Sequence, residues 1–129
     1  MVLDTSALLA LLLDEPEAEA CRLAVEEDET RLVSAATWLE TAVVIEARKG
    51  DAGGRELDVL VHQAQIAIVP VEAEHVIEAR RAYRRFGKGR HAAGLNFGDL
   101  FAYALARAVD QPLLFKGADF AKTDVRRVL

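Results

Sequence analysis

Asp4 stands between the apolar residues Met1–Leu3 and the run Ala7–Leu13, and two hydroxyls, Thr5 and Ser6, follow it at once. A charge between two segments of buried character is costly unless a helix N-terminus, a metal ion or water meets it. Three further carboxylates have similar settings: Glu40 in SAATWLETAVV, Asp99 in NFGDLFAYALA and Asp119 in KGADF. Each has an ordinary local explanation. Asp4 suits a helix N-cap. Thr37–Glu40 fits a capping box, and Asn96–Asp99 fits a looser version with Asp in place of Glu. Asp119 suits a turn. A shared role is the alternative. Clustered carboxylates repel one another and require a cation, and hard oxygen ligands select Mg²⁺ or Mn²⁺. Such an ion lowers the pKa of a bound water and neutralises a phosphodiester transition state.

The choice between these readings depends on the elements that carry the acids. Met1–Leu3 reads as a buried strand ending at Asp4. Ser6–Leu13 is helical, and Asp14–Pro16 breaks it before a second helix over Glu15–Glu27, with Pro16 in its first turn. Arg31–Ala35 is a second strand, and Ala36–Lys49 a helix stopped by Gly50. A helix over Gly54–Gln65 leads into a third strand, Ile66–Val71. Glu72–Phe86 is an amphipathic charged helix, Gly87–Leu95 a Gly-rich loop, and Asn96–Val109 an Ala-rich helix. Leu113–Phe115 is a fourth strand, and Val125–Leu129 is the candidate for a fifth.

Short strands alternating with helices predict an α/β domain: a Rossmann-like parallel sheet of four to five strands with helices on both faces. Sites in such sheets form outside the carboxyl ends of the strands. Asp4, Glu40 and Asp119 then share that edge, and Asp99 joins them if its helix starts there. On the helix of Glu40, the pattern predicts an apolar face of Ala36, Leu39, Val43 and Ala47, with Thr37, Glu40, Thr41 and Arg48 on another stripe. On the helix of Asp99 it predicts burial of Phe97, Leu100, Phe101, Ala104, Leu105 and Ala108, with Asp99 directed away.

The 129 residues are sufficient for one domain, and 52% hydrophobic with 29% charged residues is ordinary globular composition. The net charge of −5 argues against non-specific nucleic-acid binding as the sole function. The single cysteine, Cys21, excludes an internal disulfide, and its Ala- and Leu-rich surroundings mark it as a packed residue. His62, His75 and His91 lack zinc-site spacing. Ala7–Leu13 is too short to span a bilayer and has no Lys or Arg ahead of it, so a cytoplasmic soluble protein is expected. One stretch departs from the acidic balance. Between Glu78 and Asp99 lie Arg80, Arg81, Arg84, Arg85, Lys88 and Arg90. This is either a solvated helix face or a track for phosphates. For the track, Arg90 in the loop before Asp99 is the first candidate, Lys116 beside the Asp119 turn the second, with Arg84 on the helix.

Four stretches, VLDTSALLALL, SAATWLETAVV, FGKGRHAAGLNFGDLFAYALA and PLLFKGADFAKTDV, together resemble a PIN-domain protein, and most closely the VapC toxins of bacterial VapBC toxin–antitoxin pairs. The likeness runs through the whole chain, as a single PIN domain over residues 1–129, and is most specific from Phe86 to Val125. It implies a metal-dependent endoribonuclease. It places the acidic set on Asp4, Glu40, Asp99 and Asp119, with Asp4 and Asp99 as direct ligands of Mg²⁺ or Mn²⁺. Glu40 would hold or activate the attacking water, and Asp119 would complete the ring. A supporting hydroxyl falls on Thr5 or Ser6, with Ser6 preferred. In one respect the chain departs from the pattern. Many PIN domains carry an acid or Asn two residues before the last acid, where this chain has Gly117, which leaves Asp119 as the fourth acid and Asp124 as its substitute. The resemblance also implies a homodimer and a cognate antitoxin whose C-terminal segment lies over the acidic groove.

Other classes fit less well. A phosphorylation-receiver domain needs an acid pair after the first strand and a phosphate-accepting Asp after the third, but only Asp4 follows the first and IVPV ends the third in Val71. A non-catalytic α/β binding module is disfavoured because all four acids are present. A flap-type nuclease needs insertions that 129 residues do not accommodate.

Overall fold

The computed structural model describes residues Met1–Leu129. Its elements are β1 (Val2–Leu3), α1 (Thr5–Leu12), α2 (Ala18–Glu27), β2 (Leu32–Ser34), α3 (Ala35–Lys49), α4 (Asp51–Gln63), β3 (Ala67–Val69), α5 (Ala73–Phe86), α6 (Phe97–Ala108) and β4 (Leu113–Leu114), followed by a 3₁₀ turn at Phe120–Lys122. The four strands form one parallel sheet in the order β3-β2-β1-β4. Val2 is paired on both sides, with Leu32 and with Leu113.

The chain winds outward from β1 to β3, then returns to place β4 on the other side of β1. The strand order therefore reverses between β1 and β4, and a crevice opens at their carboxyl ends. Asp4 lies at that point, and its N–H is bonded to the Leu114 carbonyl at 3.0 Å. Alternation along β1 supplies both cores: Val2 packs with Ala82, Phe86, Ala102, Tyr103 and Leu105, while Met1 and Leu3 pack with Ala7, Leu8, Cys21 and Val25. Helices α5 and α6 thus cover one face, and α1, α2 and α4 the other.

The sheet has four strands, and the candidate fifth, Val125–Leu129, does not join it as a strand. Arg127 makes one isolated parallel bridge to Leu113 and the terminal segment otherwise runs as coil. β3 ends at Val69, opposite Ser34, where its one partner strand β2 gives way to α3. Helix α2 starts at Ala18, leaving Pro16 in the preceding turn, and α4 starts at Asp51, directly after Gly50.

Two predicted helix faces are corrected. On α3 the inward stripe is Thr37, Thr41 and Ile45, while Leu39 is 63% and Val43 60% exposed. Thr41 can be buried here because its Oγ1 donates to the Thr37 carbonyl one turn earlier, at 2.9 Å, whereas the Thr37 hydroxyl is buried without a partner. On α6, Ala102 to Ala106 are all buried, whereas Phe97 is 78% exposed. Asp99 is one turn ahead of Tyr103, on the buried side at its open end, and not directed away from it.

Candidate active site

Asp4 is the N-cap of α1 and is 4% exposed. Its Oδ2 accepts the Ser6 amide at 3.0 Å and the Ser6 hydroxyl at 2.7 Å. The local cap is real, but it occupies only one carboxylate oxygen. Burial pushes the Asp4 pKa up to about 6, against these two bonds, and the Asp99 and Glu40 charges push it further in the same direction. Asp99 is raised by burial too, with Glu40 and Asp119 adding to the rise. These effects mark Asp4, Glu40 and Asp99 as mutual neighbours, with Asp119 beside Asp99.

Each acid comes from a different segment. Asp99 sits in the first turn of α6 and forms the predicted capping box: its Oδ2 accepts the Asn96 amide at 2.9 Å, and Asn96 Oδ1 accepts the Asp99 amide at 3.0 Å. Glu40 is in the second turn of α3. The capping box predicted for Thr37–Glu40 does not form, because the helix begins earlier, with Ser34 at the N-cap. Glu40 Oε1 instead accepts the Thr5 hydroxyl at 2.5 Å, across 35 residues. Asp119 precedes the 3₁₀ turn after β4 and makes no side-chain cap bond.

The two hydroxyls after Asp4 thus divide the work. Ser6 Oγ donates to Asp4 and accepts the Lys116 amide at 2.9 Å, tying the acid to the end of β4. Thr5 holds Glu40. Asp124 belongs elsewhere: it accepts from the Tyr103 hydroxyl at 2.5 Å and from Arg85 at 3.2 Å, with Arg107 at 4.0 Å. Although burial opposes it, these partners hold its carboxyl below the ordinary range. Gly117 adopts φ +99, a conformation that residues with a side chain rarely adopt, so it serves the turn.

None of the four acids has a Lys, Arg or His within 4.0 Å. No three His, Cys, Asp or Glu side chains close into a metal cage. The donor set is all oxygen, with Asp4 Oδ1 and Asp99 Oδ1 free of hydrogen bonds. This suits Mg²⁺, which is held by one or two carboxylates while keeping several waters.

The basic candidates separate. The Lys116 ammonium is paired with Glu15 and lies 3.6 Å from Glu17, so it is not free for a phosphate. The Arg90 guanidinium stacks on the Tyr83 ring at 4.8 Å. Arg84 lines an open cleft of about 370 Å³ with Arg81, Arg85 and Arg107. His91 accepts the Ala93 amide and packs edge-on against Phe86, a role in holding the loop. Cys21 is buried, which raises its thiol pKa, as expected of a packed residue.

Sequence reasoning missed Gly98. A Cβ at that position would lie 1.8 Å from Glu40 Oε2. The signal was the residue before Asp99 in NFGD, a glycine inside a helix start where propensity disfavours it.

The PIN-domain model matches residues 1–126. The chain is 59% identical over 128 residues to Ribonuclease VapC of Mycolicibacterium smegmatis, covering 99% of both chains. Its fold is similar to that of the Mycobacterium tuberculosis toxin VapC20, described as cleaving the sarcin–ricin loop, at TM-score 0.78 and 17% identity over 96% of this chain and 95% of that one. It is also similar to VapBC2 of Rickettsia felis, solved bound to a promoter DNA fragment, at TM-score 0.76 and 14% identity over 98% and 94%. No helix is long and apolar enough to cross a membrane. With its doubly wound sheet, its four acids at the strand-order reversal and its full-length match to these relatives, the chain belongs to the PIN-domain family, as a VapC ribonuclease.

Proposed function

We propose that the four-acid pocket hydrolyses RNA phosphodiester bonds internally in the chain, with Mg²⁺ or Mn²⁺ as cofactor, and that this makes the protein the toxin of a cytoplasmic toxin–antitoxin pair. The observation that carries the reading is a buried carboxylate, Asp4, beside Asp99 and Glu40 and paired with no basic side chain, with Asp119 beside Asp99. An arrangement so costly has a use if a cation completes it. Asp4 and Asp99 would hold the ion. When bound, the ion supplies charge to the phosphodiester transition state and a lower pKa to water. Glu40, fixed by Thr5, orients a water for in-line attack and takes its proton. Asp119 closes the open side of the ring. Ser6 keeps Asp4 aimed into the crevice.

Arg90 and Arg84, neither paired with a carboxylate, are the side chains proposed to hold RNA phosphates. Lys116 would join them only after leaving Glu15. An antitoxin would fill the same pocket with a basic side chain, since an Arg fork can pair with carboxylates that otherwise hold the metal. A second copy of the chain would cover Leu39, Val43 and Phe97, apolar residues next to Glu40 and Gly98 that are exposed in the single chain.

The test is RNA cleavage by purified protein with Mn²⁺, wild type against Asp99→Asn, together with sequencing of RNA 5′ ends after brief induction of wild type and Asp4→Ala. Loss of cleavage in Asp99→Asn is expected. Cleavage equal to wild type would place the chemistry elsewhere.

A further inference from the structure

We propose that Gly98 is a positioning residue for Glu40: its missing side chain leaves the seat on the first turn of α6 in which the Glu40 carboxylate rests. The inference rests on the proposed role of Glu40 in hydrolysis, and its test separates the two.

The geometry is specific. A Cβ built on Gly98 meets Glu40 Oε2 at 1.8 Å, Cδ at 2.6 Å and Oε1 at 2.9 Å. All three nearest atoms belong to one carboxylate. At Gly54 an added Cβ also meets one side chain, the exposed Glu46, though less closely at 2.7 Å; at Gly53 and Gly87 it meets backbone carbonyls, those of Ile45 at 2.7 Å and Tyr83 at 2.4 Å. Those two glycines are required by the fold. Gly98 is required only by the end of a flexible side chain, which can swing away if a methyl group arrives.

The seat has a physical attraction for an acid. Phe97 and Gly98 occupy the first two positions of α6, whose amides have no intrahelical acceptors. The positive end of the helix favours a carboxylate. Glu40 is then fixed at Oε1 by the Thr5 hydroxyl of α1, while Oε2 lies in the space a Gly98 side chain would fill. Its position is thereby locked to that of Asp99, the next residue along.

A glycine in a helix is ordinarily a loss. Here Gly98→Ala should leave the fold intact, because alanine is the better helix former, and still displace Glu40. The experiment is a cycle of four proteins, wild type, Gly98→Ala, Glu40→Ala and the double variant, read by RNA cleavage and by Tm without metal. Gly98→Ala is expected to lower kcat at least tenfold with KM little changed, and to have no further effect in the Glu40→Ala background. It is expected to raise Tm by a few degrees where Glu40 is absent and by less where it is present. Should Gly98→Ala alone fail to fold, the double variant, free of the clash, should fold. Unchanged cleavage in Gly98→Ala, an equal loss in both backgrounds, equal Tm changes in both, or a double variant that does not fold would each overturn the proposal. If Glu40→Ala cleaves like wild type, the hydrolytic role of Glu40 fails, and the Tm cycle alone decides the seat.

Discussion

Asp4→Asn should make the metal-free protein more stable and inactive. Asp4 is almost fully buried, and its pKa rises from 3.8 to about 6. The folded state therefore binds this proton more tightly than the unfolded state. The stability that comes from protonated Asp4 is fully present below pH 3.8 and is lost as pH rises through about 6. At about 1.4 kcal/mol per pH unit, the ionised form costs about 3 kcal/mol at pH 7.5 and about 1 kcal/mol at pH 4.5. Asparagine is close in shape, caps as well as aspartate, and can accept from both the Ser6 amide and hydroxyl. In EDTA at pH 7.5, Asp4→Asn should melt roughly 10 °C above wild type, the scale set by a few degrees per kcal/mol. At pH 4.5 the gap should shrink to about a third. The assay is circular dichroism melting at both pH values, with RNA cleavage measured in parallel. A variant that melts at or below wild type at pH 7.5, or with the same increment at pH 4.5, would refute the reasoning.

The other acids and their supports give further expectations. Thr5→Val removes the donor to Glu40; cleavage should fall about tenfold or more while stability drops by about 1 kcal/mol, measured by kinetics and urea titration. Asp119→Asn should reduce cleavage, whereas Asp124→Asn should leave it near wild type and cost about 1 kcal/mol through the Tyr103 and Arg85 bonds. Asp124 is held below its ordinary pKa, so its contribution is present above about pH 4 and is lost as pH falls through the depressed value, the reverse of Asp4. In an Asp99→Asn background, Arg84→Gln should reduce the salt dependence of single-stranded RNA binding by about 0.7 in log–log slope, and Lys116→Gln, already paired with Glu15 and Glu17, should not. Fluorescence anisotropy across a salt series reads both.

The acids and their order were legible in the amino-acid sequence, and so were the alternating elements that carry them. Strand and helix periodicity is a local property, and so is the Asn96–Asp99 capping box, whose partners are three residues apart. Even the two readings of Asp4 and Asp99, cap or site residue, proved compatible, because a carboxylate has two oxygens and a cap uses one. What local pattern could not supply was pairing over distance. Leu39 and Val43 looked like the core of α3, and Thr37 and Thr41 like its edge; the helix faces the other way, with Ile45 packed inward and Glu40 brought to Thr5 of α1 and Gly98 of α6. Asp119 and Asp124 are equivalent by residue type, and only the docking of the last segment against Tyr103 and Arg85 separated them. Lys116 looked free until the turn before α2 brought Glu15 to it. Side-chain chemistry along the chain named the groups of this site, but contacts between residues far apart decided which of them are held, which are paired and which face the crevice. The free energy of such contacts depends on burial and geometry that no local window contains.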